Sequence, residues 1–273
     1  MIAHGSAFPV AKLALNNSVP PILMASLRMG IVFIILVPFL KFKFPEKKFI
    51  KPLVFFSLSM GVLVYVFMNL SLYYSTFISP IILGSQLAIP FGILASAFLL
   101  NENISKNKWI LIFTSFFGII IIFFDPKLSE NYIGLFFASL MALFFGLAQV
   151  YSRQLNKLPI SLINASTGIF GFLILMSISL TIEGNPYLNV KQINFESWLL
   201  ISYQALIVSL CAHLLMFYLY KFYTVGQIFP FYSLFPIFGI VLTYLVFGEV
   251  PTILFILGGI IVISSVFLLH KIR

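Results

Sequence analysis

Residues 78–102 read ISPIILGSQLAIPFGILASAFLLNE, and residues 235–249 read FPIFGIVLTYLVFGE. No charge stands between Ile78 and Leu100. At about 1.5 Å per residue that run is about 34 Å long, enough for a hydrocarbon core of about 30 Å. The two stretches share a pattern. Phe91-Gly92 matches Phe238-Gly239, and at the same offset Asn101-Glu102 matches Gly248-Glu249. Each apolar run ends at a carboxylate, and a further apolar run follows. A membrane-spanning unit used twice is the simplest reading.

The rest of the chain has the same character. Its 273 residues are 61% hydrophobic and 17% aromatic, and only 8% are charged; a soluble domain carries about 25% charged residues. An ordinary soluble enzyme is excluded, and so is disorder, whose signature is low hydrophobicity. The lone Cys211 excludes a disulfide scaffold.

Apolar stretches between turn signals and charges fall at 2–15, 21–40, 53–72, 78–100, 109–124, 132–150, 161–182, 198–220, 226–247 and 253–270. Ten such spans with short loops use nearly the whole chain. The expected fold is an all-α membrane protein of ten transmembrane helices, arranged as two inverted five-helix repeats over 1–126 and 132–273.

The first span is short: residues 2–15 reach about 21 Å, and they include Pro9 and Lys12. With no basic start before the apolar run, a cleavable signal peptide fits badly. Either about eight residues that would complete a full span are missing, or the first helix is tilted and shortened.

The net charge of +9 reads as an orientation signal rather than a nucleic-acid footprint, because Lys and Arg gather in cytoplasmic loops. With a cytoplasmic N-terminus, twelve of the sixteen basic residues fall inside: Lys41, Lys43, Lys47, Lys48, Lys51, Lys106, Lys108, Arg153, Lys157, Lys221, Lys271 and Arg273. Only Lys127 and Lys191 fall outside, and Lys12 and Arg28 lie within spans. The asymmetry predicts that both termini are cytoplasmic.

Five spans per half is an odd number, so the halves face opposite ways. Lys12 and Arg153 occupy corresponding places in the two halves and then sit near opposite faces, as do Glu102 and Glu249. Inverted repeats mark secondary transporters, whose substrate binds near the midplane between them. Chance similarity among apolar helices is the competing explanation.

The motifs carry a resemblance. Gly5-Ser6 with Lys12, Pro20-Pro21 followed by Arg28, Asn101-Glu102, Pro236, Gly248-Glu249 and Gly258-Gly259 occur in an order that resembles the drug/metabolite transporter superfamily, in particular its ten-helix EamA-type members. The stretch from Gln86 to Glu102 looks most like the family's amino-acid exporters, such as the O-acetylserine/cysteine exporter. The resemblance implies a bacterial inner-membrane carrier with a central cavity and alternating access, moving amino acids, their derivatives or other small metabolites, mostly outward.

Six residues are candidates for substrate binding: Lys12, Arg28, Gln86, Gln204, His213 and Ser233. Arg28 lies about 10 Å into its span. A charge at that depth is expensive unless it faces a wet or paired interior. It is either a cavity cation that holds a carboxylate, or a group that snorkels outward or pairs with a backbone carbonyl. Lys12 lies nearer the interface, where snorkelling suits it. His213 is in mid-span and either carries protons or bonds a substrate, or is a neutral histidine bonded to a neighbouring helix. Gln204 lies two and a half turns before it. Gln86 and Ser233, which correspond under the repeat offset, are either two inward polar positions for a zwitterion or ordinary interhelical bonds. No carboxylate falls near the midplane. Glu102 and Glu249 read as end caps, and the stripe Gly84, Ala88, Gly92, Ser96 reads as a close packing surface.

A secondary transporter exporting an amino acid or derivative is thus the leading expectation. An importer of an anionic or nucleotide-like metabolite, or a non-transport membrane protein, stands behind it. No H-E-x-x-H, G-x-S-x-G or intramembrane carboxylate pair supports an enzyme. His4, His213 and His270 show no ligand spacing, so no metal and no cofactor are expected. The expected partners are a small-molecule substrate and the lipid bilayer, not nucleic acid. Two complete halves make a monomer sufficient, with at most a weak homodimer.

Overall fold

The computed structural model describes residues 1–40, 45–212, 215 and 234–271, and every regular element among them is helical. Seven described segments are long and apolar enough to cross a membrane: Pro21–Phe39, Lys47–Tyr73, Ser79–Leu100, Lys106–Phe123, Pro126–Gln154, Ile160–Ile182 and Phe195–Ala212. Phe235–Phe247 and Ile253–Leu269 are shorter apolar helices. The chain is an all-α membrane protein that crosses the bilayer several times.

The first rod is built from α1 (Ile2–Gly5) and α2 (Ala7–Asn16). Its break has a local cause. Pro9 has no N–H to give the carbonyl of Gly5, so the helical ladder is interrupted between the two pieces. Helix α3 (Pro21–Leu36) starts on a proline, where a missing N–H costs nothing. The next segment runs through α4 (Lys47–Phe56), a π-helical stretch at Ser57–Val64 and α5 (Tyr65–Tyr73). After α6 (Ser79–Gly84) comes one 3₁₀ turn and then α7 (Ala88–Leu100). Helices α8 (Lys106–Phe123), α9 (Tyr132–Gln154) and α10 (Ile160–Ile182) follow. The short α11 (Pro186–Gln192) leads to α12 (Phe195–Tyr203), which passes into a second π-helical stretch at Gln204–Ala212. Helices α13 (Phe235–Phe247) and α14 (Ile253–Lys271) end the described chain.

Several of these features recur at the offset that relates Phe91-Gly92 to Phe238-Gly239. It carries the start and the end of α7 onto the start and the end of α13. It also carries Ser57, where the first π-helical stretch begins, onto Gln204, where the second begins. Helix α7 closes on Asn101 at φ 53° and α13 on Gly248 at φ 68°. Both are left-handed caps, where Gly or Asn is favoured because other side chains resist positive φ, and Gly248 N–H donates to the Tyr244 carbonyl at 2.9 Å.

Packing between elements depends on backbone approaching backbone. A methyl group added to Gly5 would lie 2.7 Å from the Gly239 nitrogen and 2.9 Å from the Phe235 oxygen. One added to Gly146 would lie 2.6 Å from the Gly92 nitrogen and 2.9 Å from the Ala88 oxygen. The repeat offset carries Gly92 and Ala88 onto Gly239 and Phe235, and Gly146 holds the place in the second half that Gly5 holds in the first. Helix α8 lies along α14 in the same manner. A methyl on Gly118 would come 2.9 Å from the Gly258 oxygen, and one on Gly258 would come 2.6 Å from the Gly118 oxygen. Small residues allow such contacts where lipid supplies no hydrophobic drive between helices.

Three apolar clusters result among the described residues, the smallest formed by Phe49, Leu53 and Leu155. Of the other two, the larger joins α2, α3, α5 and α12 around Ala11, Ile22, Leu72 and Ile201; the smaller joins α8 and α14 through Ile122, Val262 and Val266. Large apolar side chains also point outward, among them Phe98, Phe113, Leu245 and Ile260. On a soluble protein that surface would be an aggregation hazard; in a bilayer it is the lipid contact.

Candidate polar site in the helix bundle

Helix α3 carries Arg28 two turns from its start, and the side chain is only 4% exposed. Its Nε donates to Ser209 Oγ at 2.9 Å, and its guanidinium carbon lies 4.3 Å from the centre of the Tyr65 ring. The aromatic face is electron-rich and attracts the cation. Nη1 is buried and has no hydrogen-bond partner among the described residues. The side chain is thus packed between spans inside the bundle. Ser209 and Tyr65 come from the two segments that contain the π-helical stretches, so three spans meet at this cation.

Gln204 opens the second π-helical stretch and is 1% exposed. Its Nε2 donates to the Ala7 carbonyl at 2.5 Å, which fixes the orientation of the amide and leaves buried Oε1 without a partner among the described residues. Next to it, Tyr203 OH and Ser6 Oγ share a hydrogen bond of 2.9 Å. Asn69, one turn beyond Tyr65, repeats the arrangement: Nδ2 donates to the Pro21 carbonyl at 2.8 Å, and Oδ1 is likewise unpartnered. Gln86 sits in the turn between α6 and α7, is 2% exposed, and also has an unpartnered Oε1. The structure therefore brings Tyr65 and Ser209 against Arg28, while Asn69 reaches the start of α3 and Gln204 reaches the start of α2. His213 and Ser233 lie outside the described residues.

Lys12, on α2, bonds the end of α5. Its Nζ donates to the carbonyls of Leu72 at 2.8 Å and Ser75 at 2.6 Å. A cation on the carbonyls of a helix end is favourable, and it ties α2 to the end of α5. Two carboxylates do the complementary work. Helix α3 begins after Pro20 and α6 after Ile78, neither of which has a side chain that can cap. The first is capped by Glu183, which accepts from the backbone N–H groups of Ile22 at 2.7 Å and Leu23 at 2.8 Å and from Ser179 Oγ at 2.7 Å. The second is capped by Glu249, which accepts from Ile78 N at 2.7 Å, Ser79 N at 3.1 Å and Ser79 Oγ at 2.9 Å. At this same end Thr252 Oγ1 donates to buried Asp125, and Asn131 Oδ1 accepts from the backbone of Thr76 and Phe77.

Arg153 and Glu102 form an exposed two-pronged pair with bonds of 2.8 and 3.3 Å. The bonds from Arg153 hold the Glu102 carboxyl below its usual range, helped by Ser96. At such exposure the pair stabilises the fold little. Sequence reasoning does not single out Asn69 as an inward acceptor or Glu183 as a cap. The available signal for Glu183 is a helix start without a local cap, and the long separation along the chain hides the partner.

A cavity of about 410 Å³ opens beside the Glu249 cap, lined by Thr76, Ser79, Lys127, Glu249, Thr252 and Phe255 among others. A shallower groove of about 430 Å³ runs along α10 between Leu173 and Thr181. Among the described residues, no group of three or more His, Cys, Asp or Glu side chains could hold a metal ion.

Comparison with known proteins places this architecture. No curated protein matches the chain. A solved structure titled only "Crystal structure of protein" superimposes with a TM-score of 0.53 at 14% identity, over 99% of this chain and 97% of that one, which establishes a shared fold. The family model of the EamA-like transporters matches twice, over residues 1–124 and again over 132–270. The chain therefore belongs to the EamA-like transporter family, whose members are membrane transporters of small molecules.

Proposed function

We propose that the protein is a secondary transporter that exports a small carboxylate metabolite, an amino acid or a derivative of one, across a bacterial inner membrane. Arg28 carries this reading. A permanently charged guanidinium, buried in the bundle and with one nitrogen unpartnered among the described residues, suits a carboxylate. A buried cation without an anionic partner is costly, so a substrate carboxylate would complete the site. The likeness of residues 86–102 to amino-acid exporters supports the substrate class, and Lys12, Gln86, Gln204, His213 and Ser233 remain the other proposed contacts.

The proposed architecture is ten spans in two inverted repeats, 1–126 and 132–273. The family model's two matches support the division. So do the π-helical stretches, the left-handed caps and the glycine contacts that recur in the two halves. The rod of α1 and α2, the seven long segments and the two shorter apolar helices would supply the ten spans. The distribution of basic residues supports cytoplasmic termini. Alternating access between such halves moves the substrate without any reaction, so no cofactor is required, and one chain suffices.

The test is counterflow in proteoliposomes preloaded with amino acids. Selective uptake of a labelled amino acid is expected, and Arg28→Ala should reduce it at least tenfold while the purified protein stays monodisperse. Undiminished exchange in Arg28→Ala would remove Arg28 from the site.

A further inference from the structure

Three side chains grip the backbone that connects α5 to α6, almost residue by residue. Lys12 of α2 donates to the carbonyls of Leu72 and Ser75. Asn131 Oδ1, just before α9, accepts from the N–H groups of Thr76 and Phe77. Glu249, just past the end of α13, accepts from those of Ile78 and Ser79. Glu249 is 9% exposed. It belongs to the second half of the chain and the connection to the first, so its bonds fasten one half to the other.

Lys12 and Glu249 have counterparts in Arg153 and Glu102, and there the arrangement differs. Helix α9 begins beside Asn131, carries Arg153 in its last turn and has 23 residues, so it is about 35 Å long. Arg153 and Glu102 therefore lie at the opposite end of the bundle. Two bonds join them to each other, and their side chains are 59% and 42% exposed. The connection that corresponds to residues 74–78 lies outside the described residues. One pair of charges thus occurs in two forms. At one end the cation and the carboxylate each hold backbone; at the other they hold each other.

Both forms are open to either pair. A carboxylate accepts from backbone N–H groups or from a guanidinium, and a cation donates to carbonyls or to a carboxylate. An exposed ion pair contributes little, so parting Arg153 from Glu102 is cheap. Inverted halves rock against each other in alternating access, and their symmetry lets each half take up the arrangement that the other has given up.

We propose that Lys12 and Glu249 form a closed gate at one end of the carrier, that Arg153 and Glu102 are the matching gate at the other end in its released form, and that each turnover exchanges the two arrangements. This rests on the carrier reading above. The Arg153–Glu102 pair must then separate once per cycle, and the α5–α6 connection must come free of Glu249.

The experiment uses counterflow of labelled amino acids on a Cys211→Ser background, because Cys211 is exposed. Arg153→Cys combined with Glu102→Cys is bridged by a reducible bifunctional thiol reagent. Bridging should lower exchange at least tenfold and reduction should restore it, while each single cysteine variant treated alike keeps its exchange. Undiminished exchange in the bridged protein overturns the gate. A second measurement leaves all four charges in place. Ile78→Cys puts a thiol at a buried position of the gripped connection. A water-soluble maleimide should label it at least threefold faster when amino acids are present on both sides of the membrane and the carrier turns over. A purely structural cap stays shut during turnover, so a labelling rate indifferent to amino acids overturns the gate, and it alone decides if the double variant does not exchange before bridging. Either of these negative results, with exchange intact in the unmodified protein, leaves the carrier reading standing. Failure of the unmodified protein to exchange any amino acid overturns that reading and the gate with it.

Discussion

Single side chains in this protein are judged by what they leave unpaired. Arg28 is conspicuous in the sequence because charge in an apolar run is expensive, yet depth alone leaves its direction open. Its direction follows from Tyr65 and Ser209, neither of which is near it in sequence. Gln204 is recognisable as an intramembrane amide, but its orphaned oxygen depends on Ala7, at the other end of the chain. Such pairings are tertiary, and no local pattern encodes them. Glu249 is legible as an end cap, though not which end it caps. At this scale one outcome is firm. Glu249→Ala leaves the N–H groups of Ile78 and Ser79 without an acceptor, and should cost about 1–3 kcal/mol. Thermal unfolding in detergent reads this as a lowered midpoint. Glu249→Gln, which keeps an acceptor, should lie between that variant and the unmodified protein.

Elements pack here through glycine. The sequence suggests a stripe of small residues on α7, and Gly92 does lie against Gly146 of α9. The corresponding contact of Gly5 with Gly239 is not legible, because one partner sits in a rod too short to read as a normal span. Gly146→Val should force α9 away from α7, since the added carbon would meet backbone rather than a movable side chain. Overpacking of this kind costs about 1–3 kcal/mol. Gly184→Ala offers a contrast. There the space is open, but φ is +89°, so any cost is conformational rather than steric. Comparing the melting midpoints of the two variants separates crowding from backbone strain.

Across the whole molecule, composition decides most of the fold. Long charge-free runs require helices in lipid, because backbone groups there must pair within their own segment. Seven of the spans appear as long apolar segments with boundaries close to the sequence reading; the π-helical stretches within them leave no mark in hydropathy, since they preserve the apolar run. Orientation is a prediction at this scale. A reporter inserted at Asn194 should read outside and one at Lys47 inside, measured as alkaline phosphatase and fluorescent-protein activity. The reverse pattern would reverse the export geometry.

The two π-helical stretches have a consequence for how the chain tolerates change in length. Each winds more residues into a turn than an α-helix does, and so holds slack within a membrane span. Losing one residue from an ordinary span rotates everything beyond it by about 100° and turns lipid-facing side chains inward. Within Ser57–Val64 or Gln204–Ala212 the same loss can be absorbed by tightening the winding. These are the places where a descendant of this chain could be shortened by one residue and still present the same faces to lipid and to substrate.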